Sequence, residues 1–498
     1  MHLYIYQSNV FSPVFAAFMH FRINPSLKNN KLASFYIFFA SLIYFWHIHC
    51  CIYSQNISFT IILFYMPTTI KRKAGVLIMY KCSKERMEDK IKTFSKFGDA
   101  GHGGITRYSL SPEAEMARDE FVRRMEAIGA VIETDDLANM YATIPGTDPN
   151  AKRIVMGSHC DSVKNGGNYD GILGVMGAME VLETVVAEKI EHKHPLTAMI
   201  WTNEEGSEFP PCMMCSGIVC HDYMPERFRD NFEYNKMMAS KSILDPEMTF
   251  GKKLSTFKYK GDEKNRLNPD KYEAMFELHI QQGPILEDAG KNLGVVTCVL
   301  GQMIYRVKFY GFAAHCGTFP MKKRHDAFHA AAEALCYLHE EIDKLGYEDL
   351  VYTTGEVVIH PCVNTVIPDY FDFSIDVRHE NPDVLNKVRE ILLDLPNRKW
   401  QGCDCEVVLG WNRDTVYWDK KLVGYVREAT EELGISHMDI NSGAGHDAQY
   451  VSYMLPTTMI FVPSDKGLSH CEPEHTSVEQ CTDGASVMLN AVLKLDKE

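Results

Sequence analysis

The chain has 498 residues, of which 46% are hydrophobic and 23% charged, so it is long enough to form more than one folded domain. Its formal net charge of −15 argues against a nucleic-acid-binding protein, which would be expected to carry a basic patch. The 15 cysteines are scattered without repeated Cys-x-x-Cys pairs, which argues against a disulfide framework and indicates free thiols in a reducing compartment. We therefore expect a cytoplasmic protein.

The first 80 residues differ in composition from the rest of the chain. Residues 32–53 are almost wholly apolar and aromatic, and a second apolar stretch covers residues 57–66. The first stretch is long enough for a membrane span of about 20 residues, and the basic run at 71–73 would favour cytoplasmic placement of the residues after it. Two interpretations of residues 1–80 remain open. They contain a membrane anchor within 32–66, or they are a gene-model extension that is not part of the working protein.

From about Met87 onward, the sequence is typical of a soluble enzyme. Ser111 predicts the N-cap of one helix, and apolar residues that recur every three positions from Leu173 to Val185 predict another. Apolar strands alternate with these helices, so we predict an α/β fold with a mixed, mostly parallel sheet flanked by helices. Residues 221–270 are polar and irregular and are predicted to be a surface excursion.

The first candidate site follows the apolar strand Ile154–Met156, which leads to His159. Asp161 comes two residues later and is placed to orient that imidazole. Asp170 follows eleven positions after His159, and the glycine pair 166–167 permits the tight backbone that returns it toward the histidine. Taken alone, a histidine after a strand is more often structural than functional.

The pair Glu204-Glu205 follows the apolar strand Ala198–Trp201 and is the sharper signal. Adjacent carboxylates at the end of a strand repel each other unless a cation lies between them. One of them can bind a metal ion while the other takes a proton from water. The alternative interpretation, two solvated acids in a loop, is disfavoured because other residues of metal-binding types also follow strands.

His279 follows a third apolar strand, Met275–Leu278, and His470 follows a fourth, Met459–Val462. Ligands of open α/β sheets bind beyond the carboxyl ends of the strands, so all these side chains are expected at one edge. Imidazoles and carboxylates together suit Zn²⁺ or a similar ion, and two such ions sharing one carboxylate would make a hydrolytic site. The glycine-rich stretch 441–448 lacks a following Lys-Ser/Thr and is interpreted as structural support for this site.

Residues 296–402 have a different order of predicted strands and helices and are predicted to form an inserted domain. A strand over Val295–Phe309 is followed by a helix, two strands, a second helix and a strand at Cys405–Leu409, the β-α-β-β-α-β order of a ferredoxin-like unit. The catalytic domain would then consist of residues 87–295 and 403–498, with the insert placed as a lid.

The insert carries polar residues of its own, namely His315, Asn364 and Arg378. Arg378 ends an apolar strand and could hold a substrate carboxylate in two hydrogen bonds. A surface arginine paired with a nearby acid is an equally good interpretation. His315 could polarise the scissile carbonyl, or it could be a simple turn residue.

Together these residues resemble the M20 metallopeptidase superfamily, and within it the branch of N-carbamoyl-amino acid hydrolases, β-ureidopropionases and allantoate amidohydrolases. The resemblance covers the chain from about residue 90 to its C-terminus. It implies a catalytic domain of the di-zinc aminopeptidase type with a ferredoxin-like lid and dimerisation domain. His279 is typical of the carbamoylase branch, because peptidase members usually have an acidic ligand there. The matching motifs are 157–162, 203–206, 277–284, 443–447 and 467–470.

The resemblance also implies roles for single residues and a cofactor. Glu204 would be the general base, with Asp161 as its partner, and Asp170 would bridge two divalent ions, Zn²⁺ or alternatively Mn²⁺. A homodimer is implied, because the lid histidine of this family reaches the site of the neighbouring subunit. The implied metal ligands are His159, Asp170, Glu205, His279 and His470, and the implied substrate contacts are Gln282, His315, Asn364 and Arg378.

Several positions depart from the family pattern without removing a ligand. Glu208 stands where Arg is usual, Cys215 where Gly is usual, and Gln281 replaces a common Glu. Cys316 and Phe319 alter the lid turn, and Ala138 replaces the Gly of an Asp-x-x-Gly-Asn pattern. Glu208 and Cys215 put local packing and specificity in question.

The sequence thus predicts hydrolysis of the carbamoyl C–N bond of a small ureido acid, with release of an amino acid, ammonia and carbon dioxide. The favoured substrate is N-carbamoyl-β-alanine, because Phe209-Pro210-Pro211 and residues 276–288 are similar to fungal β-ureidopropionases. N-carbamoyl-L-amino acids and allantoate present the same groups and remain alternatives. A metallopeptidase and a non-catalytic ligand-binding relative are the other two possibilities.

Overall fold

A computed structural model describes residues 79–498, so the apolar stretches at 32–66 lie outside the described residues. Within 79–498, no helix is both long enough and apolar enough to cross a bilayer. The described strands form one nine-stranded and one five-stranded sheet. The chain first builds most of the larger sheet and its helices. In chain order these elements are α1 (Lys84–Phe94), α2 (Pro112–Ala127), β1 (Val131–Thr134), β2 (Met140–Ile144), β3 (Arg153–His159), α3 (Ile172–Ala187), β4 (Leu196–Trp201), α4 (Met214–Cys220), α5 (Glu226–Arg229), α6 (Tyr234–Met238), α7 (Phe250–Thr256), β5 (Tyr272–Ile280), α8 (Ile285–Asp288) and β6 (Leu293–Val299).

The five-stranded sheet follows without interruption. Its elements are β7 (Gly301–Tyr310), α9 (Ala327–Asp343), β8 (Val351–Thr353), β9 (Val357–His360), β10 (Tyr370–His379), α10 (Pro382–Asp394) and β11 (Asp404–Arg413). The strands pair in the order β11-β7-β10, and both β8 and β9 pair with β10, always antiparallel. Since β8 and β9 occupy one edge in succession, the unit has the predicted β-α-β-β-α-β order.

The chain then returns to the larger sheet. The last elements are β12 (Val416–Tyr417), α11 (Lys420–Leu433), β13 (His437–Ser442), α12 (Asp447–Val451), β14 (Thr457–Val462) and α13 (Val478–Asp496). The strand order is β1-β2-β4-β3-β5-β14-β6-β12, with β13 paired to β6. The central neighbours β4, β3, β5 and β14 are mutually parallel, whereas β1, β2 and β12 pair antiparallel. The mixed sheet predicted from the sequence is confirmed.

Helices cover both faces of the larger sheet, which is why its central strands read as continuous apolar runs. On one face α1, α2, α3, α11 and α13 enclose a hydrophobic core, and on the other α4, α6, α7 and α12 enclose a second one. Ser111 caps α2 as predicted, since its side chain accepts a hydrogen bond from the backbone N–H of Ala114 (3.1 Å).

Two sequence predictions about segments are wrong. Residues 221–270 are not a surface excursion, because Phe232, Phe250 and Leu254 are buried in the second core. The predicted strand over Val295–Phe309 is two strands, β6 in the larger sheet and β7 in the smaller one, separated at Leu300. The smaller sheet therefore spans Gly301 to Arg413, which displaces both ends of the predicted insert 296–402.

Candidate metal centre and active site

Four parallel strands present the candidate site residues at one edge of the larger sheet. His159 is the last residue of β3, and His279 lies one residue before the end of β5. Glu204 and Glu205 follow the end of β4, and His470 follows the end of β14. Because β4, β3, β5 and β14 are adjacent, their carboxyl ends bring these residues into one cluster.

One group of ligand-type side chains surrounds the first oxygen of Asp170. Its Oδ1 lies 3.1 Å from His279 Nε2 and 4.0 Å from His159 Nε2. The ligand atoms of these three residues all lie within 4.8 Å of one another, and all three side chains are buried. This geometry would allow the three side chains to hold a single cation.

A second group surrounds the other oxygen of the same carboxylate. Asp170 Oδ2 lies 2.9 Å from His470 Nε2, which is itself 3.6 Å from Glu205 Oε2. The ligand atoms of these three residues again lie within 4.8 Å of one another. The side chain of His470 is 48% exposed, so this group borders solvent. Asp170 thus belongs to both groups, one oxygen to each.

The chemistry of these donors fits divalent cations. His159 Nδ1 lies 3.0 Å from the carbonyl oxygen of Asp161 and His279 Nδ1 lies 2.9 Å from that of Ile280, so each Nδ1–H can donate there and leave the Nε2 lone pair facing the carboxylates. Burial, and next the Asp170 carboxylate, raise the pKa of Glu205 well above its usual value. Among residues 79–498, Glu205 Oε1 is a buried oxygen without a hydrogen-bond partner. A cation between these groups would remove the repulsion.

The carboxylates of the cluster also raise the pKa values of His279 and His470. Burial alone would lower the pKa of His279, but Asp170 raises it to about 9. The hydrogen bond to Asp170 also raises the pKa of His470 to about 9. Protonation of these two imidazoles is therefore favoured at the place where a cation would be held.

Asp161 lies between His159 and the two glutamates, and its carboxylate accepts its hydrogen bonds from the glutamates. Its carboxylate accepts hydrogen bonds from the backbone N–H groups of Glu204 (3.4 Å) and Glu205 (3.2 Å). The His159 ring contacts the backbone carbonyl of Asp161, while the Asp161 carboxylate is farther from it, at 3.8 Å. The imidazole is thus oriented mainly by the backbone, and the side chain of Asp161 fixes the two glutamates.

Glu204 lies beside the cluster, with Oε2 at 3.6 Å from His159 Nε2. Glu204 is buried, with 8% of its surface exposed. Burial, followed by the nearby Asp447 and Glu205 carboxylates, raises the pKa of Glu204 well above its usual value. A carboxylate made more basic in this way is suited to accept a proton near neutral pH.

The four predicted substrate contacts occupy different places. Gln282 is at the cluster, where its Nε2 donates to Asp170 Oδ2 (3.0 Å) and to Ser469 Oγ (3.1 Å). His315 and Asn364 lie on two exposed loops of the smaller sheet, and within residues 79–498 no hydrogen bond or ion pair connects either side chain to the cluster.

Arg378 is paired with an acid, as the alternative interpretation of the sequence had it. Its Nε and Nη2 donate to the two oxygens of Asp376 at 3.0 and 2.9 Å. Its Nη1 donates to the carbonyl oxygen of Gly443 (2.7 Å), which belongs to the glycine-rich stretch of the larger unit. Arg378 therefore connects the insert to the edge of the sheet that carries the cluster.

Three further residues at the site were not predicted to have these contacts. The ring of His446 in the glycine-rich stretch packs against that of His279, with centroids 4.6 Å apart, and Glu277 completes a third buried group of ligand-type atoms with them. The side chain of Glu474 accepts hydrogen bonds from the loops of both Asp170 and His470. Its only signal in the sequence is its place four residues after His470.

A mixed α/β sheet whose neighbouring strand ends carry imidazoles and carboxylates around one shared aspartate is the arrangement expected of a metal-dependent hydrolase. Comparison with known proteins gives the family. Residues 155–494 match the model of peptidase family M20/M25/M40. The chain belongs to this family, and its similarity to several amidohydrolases indicates the amidohydrolase branch.

The chain is 36% identical to an N-carbamoyl-L-amino-acid amidohydrolase of Rhizobium meliloti, over 83% of this chain and 97% of that protein. It is 32% identical to an allantoate amidohydrolase of Bacillus subtilis, over 83% of this chain and 98% of that protein. Among solved structures, a hydantoinase/carbamoylase family amidase from Burkholderia multivorans superposes with a TM-score of 0.73 at 34% identity, covering 84% of this chain and 99% of that one.

Proposed function

We propose that this protein hydrolyses the carbamoyl C–N bond of an N-carbamoyl amino acid, releasing the amino acid, ammonia and carbon dioxide. The observation that carries the proposal is the pair of ligand groups that share Asp170, with Glu204 beside them. His159, Asp170 and His279 would hold one divalent ion, and Asp170, Glu205 and His470 a second one. Zn²⁺ suits this set of imidazoles and carboxylates, and Mn²⁺ is the alternative.

The proton transfers are assigned to Glu204. Divalent ions in the two groups would act as Lewis acids toward the attacking water and the carbamoyl carbonyl. Glu204 accepts the proton that the water loses, because its raised pKa makes it basic enough at neutral pH. It then delivers that proton to the leaving nitrogen, which completes cleavage of the C–N bond.

Substrate binding is assigned to the insert and to Gln282. Arg378 would hold the substrate carboxylate together with Asn364, since a guanidinium has more N–H donors than the three bonds described for Arg378 use. His315 would donate to the oxyanion that develops on the carbamoyl group. The His315 side chain is exposed, and within residues 79–498 it makes no hydrogen bond to the cluster of its own chain. We therefore assign it to the site of a neighbouring subunit in a homodimer.

The finer assignment of the substrate is N-carbamoyl-β-alanine, on the motifs Phe209-Pro210-Pro211 and residues 276–288. The names of the relatives favour N-carbamoyl-L-amino acids and allantoate as its competitors. All three carry a ureido group and a carboxylate, so the same residues would bind each of them.

Ammonia release from N-carbamoyl-β-alanine, N-carbamoyl-L-amino acids and allantoate tests the proposal, with Zn²⁺ or Mn²⁺ supplied. We expect turnover of at least one substrate, loss of turnover with a chelator, and a loss of about 10²-fold or more in Glu204→Gln. Metal content is measured in the same variant, so that loss of the base is distinguished from loss of the ions. Retained metal with no ammonia from any substrate would contradict the proposal.

A metallopeptidase is the second candidate, because the matching family model includes peptidases. Dipeptide hydrolysis in the same preparation separates the two activities. A non-catalytic relative is the third, motivated by Glu208 and Cys215, and it would bind a ureido acid tightly in calorimetry without turnover, with binding unaffected by Glu204→Gln.

A further inference from the structure

Glu474 connects two loops that are distant in sequence and that both carry ligands of the cluster. Its Oε1 accepts hydrogen bonds from the backbone N–H groups of Tyr169 (2.9 Å) and Asp170 (3.0 Å). Its Oε2 accepts hydrogen bonds from Ser469 Oγ (3.1 Å) and from the backbone N–H of His470 (3.3 Å). The residue is 3% exposed, so these four donors replace water around the carboxylate.

These two loops have no strand of their own at the site. Asp170 follows a loop after β3, and His470 lies on the segment between β14 and α13. Each ligand is therefore placed by its loop and not by the sheet ladder that fixes His159 and His279. The three N–H groups and the hydroxyl that Glu474 binds belong to the ligand residues themselves or to their immediate neighbours.

Gly167 provides independent evidence, because only the absence of a side chain there leaves space for the Glu474 carboxylate. A Cβ atom built on Gly167 would lie 2.0 Å from the carboxylate carbon of Glu474 and 2.0 Å from its Oε1. Any side chain there would displace Glu474 from the loop of Asp170. The glycine pair of the sequence thus serves both the turn and the close approach of the glutamate.

We infer that Glu474 is a positioning residue that sets the distance between Asp170 and His470, and thereby the affinity of the ion held by Asp170, Glu205 and His470. The inference rests on the metal centre of the proposed function. The other ion, held by Asp170 with His159 and His279, depends on Glu474 only through Asp170. Loss of Glu474 therefore weakens one ion much more than the other.

Glu474→Gln tests this inference, because an amide of the same shape presents N–H groups to two of the four donors. Metal-free protein is titrated with Co²⁺ and with Zn²⁺ against a chromophoric chelator, which gives an affinity for each ion. We expect the affinity for the ion held by Asp170, Glu205 and His470 to fall about 10- to 100-fold, the size typical of residues that orient metal ligands. The absorption spectrum of Co²⁺ in that position should change, while the other ion keeps its spectrum.

Glu472→Gln is the matched control, since it makes the same chemical change in the same loop, and the described structure gives the Glu472 side chain no hydrogen bond. Gly167→Ala is the second variant: it displaces the Glu474 carboxylate without altering it and should weaken the same ion. Thermal unfolding of the metal-free proteins shows whether each variant folds.

Unchanged affinities in both Glu474→Gln and Gly167→Ala would overturn the inference. Equal weakening of both ions together with a large loss of stability in the metal-free state would also overturn it, because that result describes a merely structural residue. These readouts do not use substrate, so they stand even if none of the ureido acids is hydrolysed. Recovery of ammonia release by Glu474→Gln at high metal concentration would link the positioning role to the proposed activity.

Discussion

Gly171 is the residue at which helix α3 begins, beside the candidate metal centre. Its φ of +67° lies in the left-handed region, and a Cβ atom there would lie 2.2 Å from Cε1 and from Nε2 of His159. Its N–H points at His279 Nε2 (3.2 Å). Glycine is required here for two reasons, the backbone conformation and the space that the imidazole occupies.

Gly171→Ala should therefore abolish most metal binding, because the methyl group must push His159 out of the cluster. Gly290→Ala is the control, since Gly290 has a similar φ of +62° but open space around its Cβ position. Both variants should lose about 1 kcal/mol of stability from left-handed strain, but only Gly171→Ala should lose bound metal. Metal content by mass spectrometry and unfolding by urea check this, and equal metal content in the two variants would contradict it.

At the scale of elements, a buried ion network attaches α1 to α3. Lys90 and Glu180 are both fully buried, with Lys90 Nζ at 2.7 Å from Glu180 Oε2. The same carboxylate accepts hydrogen bonds from Arg86 Nε (3.1 Å) and from the backbone N–H of Ser83 (2.8 Å). Because α3 packs directly behind the strand that carries His159, this network fixes the outer helix layer over the site.

Lys90→Met should destabilise the protein by about 3–5 kcal/mol, because it leaves the Glu180 carboxylate buried with less compensation. Urea unfolding of the metal-free protein measures the loss, and the double variant Lys90→Met with Glu180→Gln should recover part of it. If the single variant unfolds at the same urea concentration as the unmodified protein, the network has no such role.

The same network gives stability a defined dependence on pH. Burial alone would raise the pKa of Glu180, but Lys90 and Arg86 hold it below its usual value of 4.5. A carboxyl group whose pKa is lower in the folded state stabilises the fold above its unfolded pKa and loses that contribution as the pH falls through the folded value. The stability difference between the unmodified protein and Glu180→Gln should therefore be full at pH 7 and shrink below about pH 4.5. A constant difference across that range would argue against the ion pair.

The parts of the fold and site that follow local rules could be predicted from the sequence. Apolar runs ending in His159, Glu204 or His279 gave both the strands and the cluster, because adjacent parallel strands share one edge. The division at Leu300 was missed, although the pattern changes there from the continuously buried β6 to the alternating β7. That change separates a strand covered on both faces from one covered on a single face.

Contacts between distant parts of the chain could not be predicted. The hydrogen bond from Arg378 to the carbonyl oxygen of Gly443 depends on how two units meet, which no local pattern encodes, whereas its pairing with Asp376 is a contact between near neighbours on β10. Glu208, which departs from the family pattern, is compensated by Lys253 Nζ at 2.6 Å and Ser242 Oγ at 3.1 Å. Its partners lie in the segment that the sequence suggested was a surface excursion, so the compensation was not visible either.

At the scale of the whole molecule, the proposed metal centre joins segments from both ends of the catalytic unit. His159 and Asp170 come from its first half, and His470 from its last segment. Bound ions should therefore stabilise the unit against unfolding. Stabilisation of about 2.7 kcal/mol is expected when free metal exceeds its dissociation constant about 100-fold.

Scanning calorimetry with and without chelator checks this expectation. Glu204→Gln should keep the metal-dependent shift in unfolding temperature, because Glu204 lies outside both ligand groups, whereas His470→Ala should lose part of it. An equal shift in the unmodified protein and in His470→Ala would exclude His470 as a ligand.

The assignment of His315 to a neighbouring subunit makes a prediction about mixed dimers. Glu204→Gln and His315→Asn should each be inactive alone. The two variants are mixed in equal amounts, unfolded and refolded together. They should regain about a quarter of full activity, because half of the dimers are mixed and each mixed dimer has one intact site. Activity that stays near zero in the mixture would place His315 in the site of its own chain, or outside catalysis.

The position of β14 has a consequence for how the protein is made. This strand lies between β5 and β6, yet it is synthesised after the whole insert. Roughly 160 residues separate Val299 from Thr457, which at typical rates of translation corresponds to about 10–30 s. During that interval a ribosome-bound chain exposes two unpaired, apolar strand edges, the kind of surface that promotes aggregation and chaperone binding. The centre of the sheet thus closes only after the whole insert has been made.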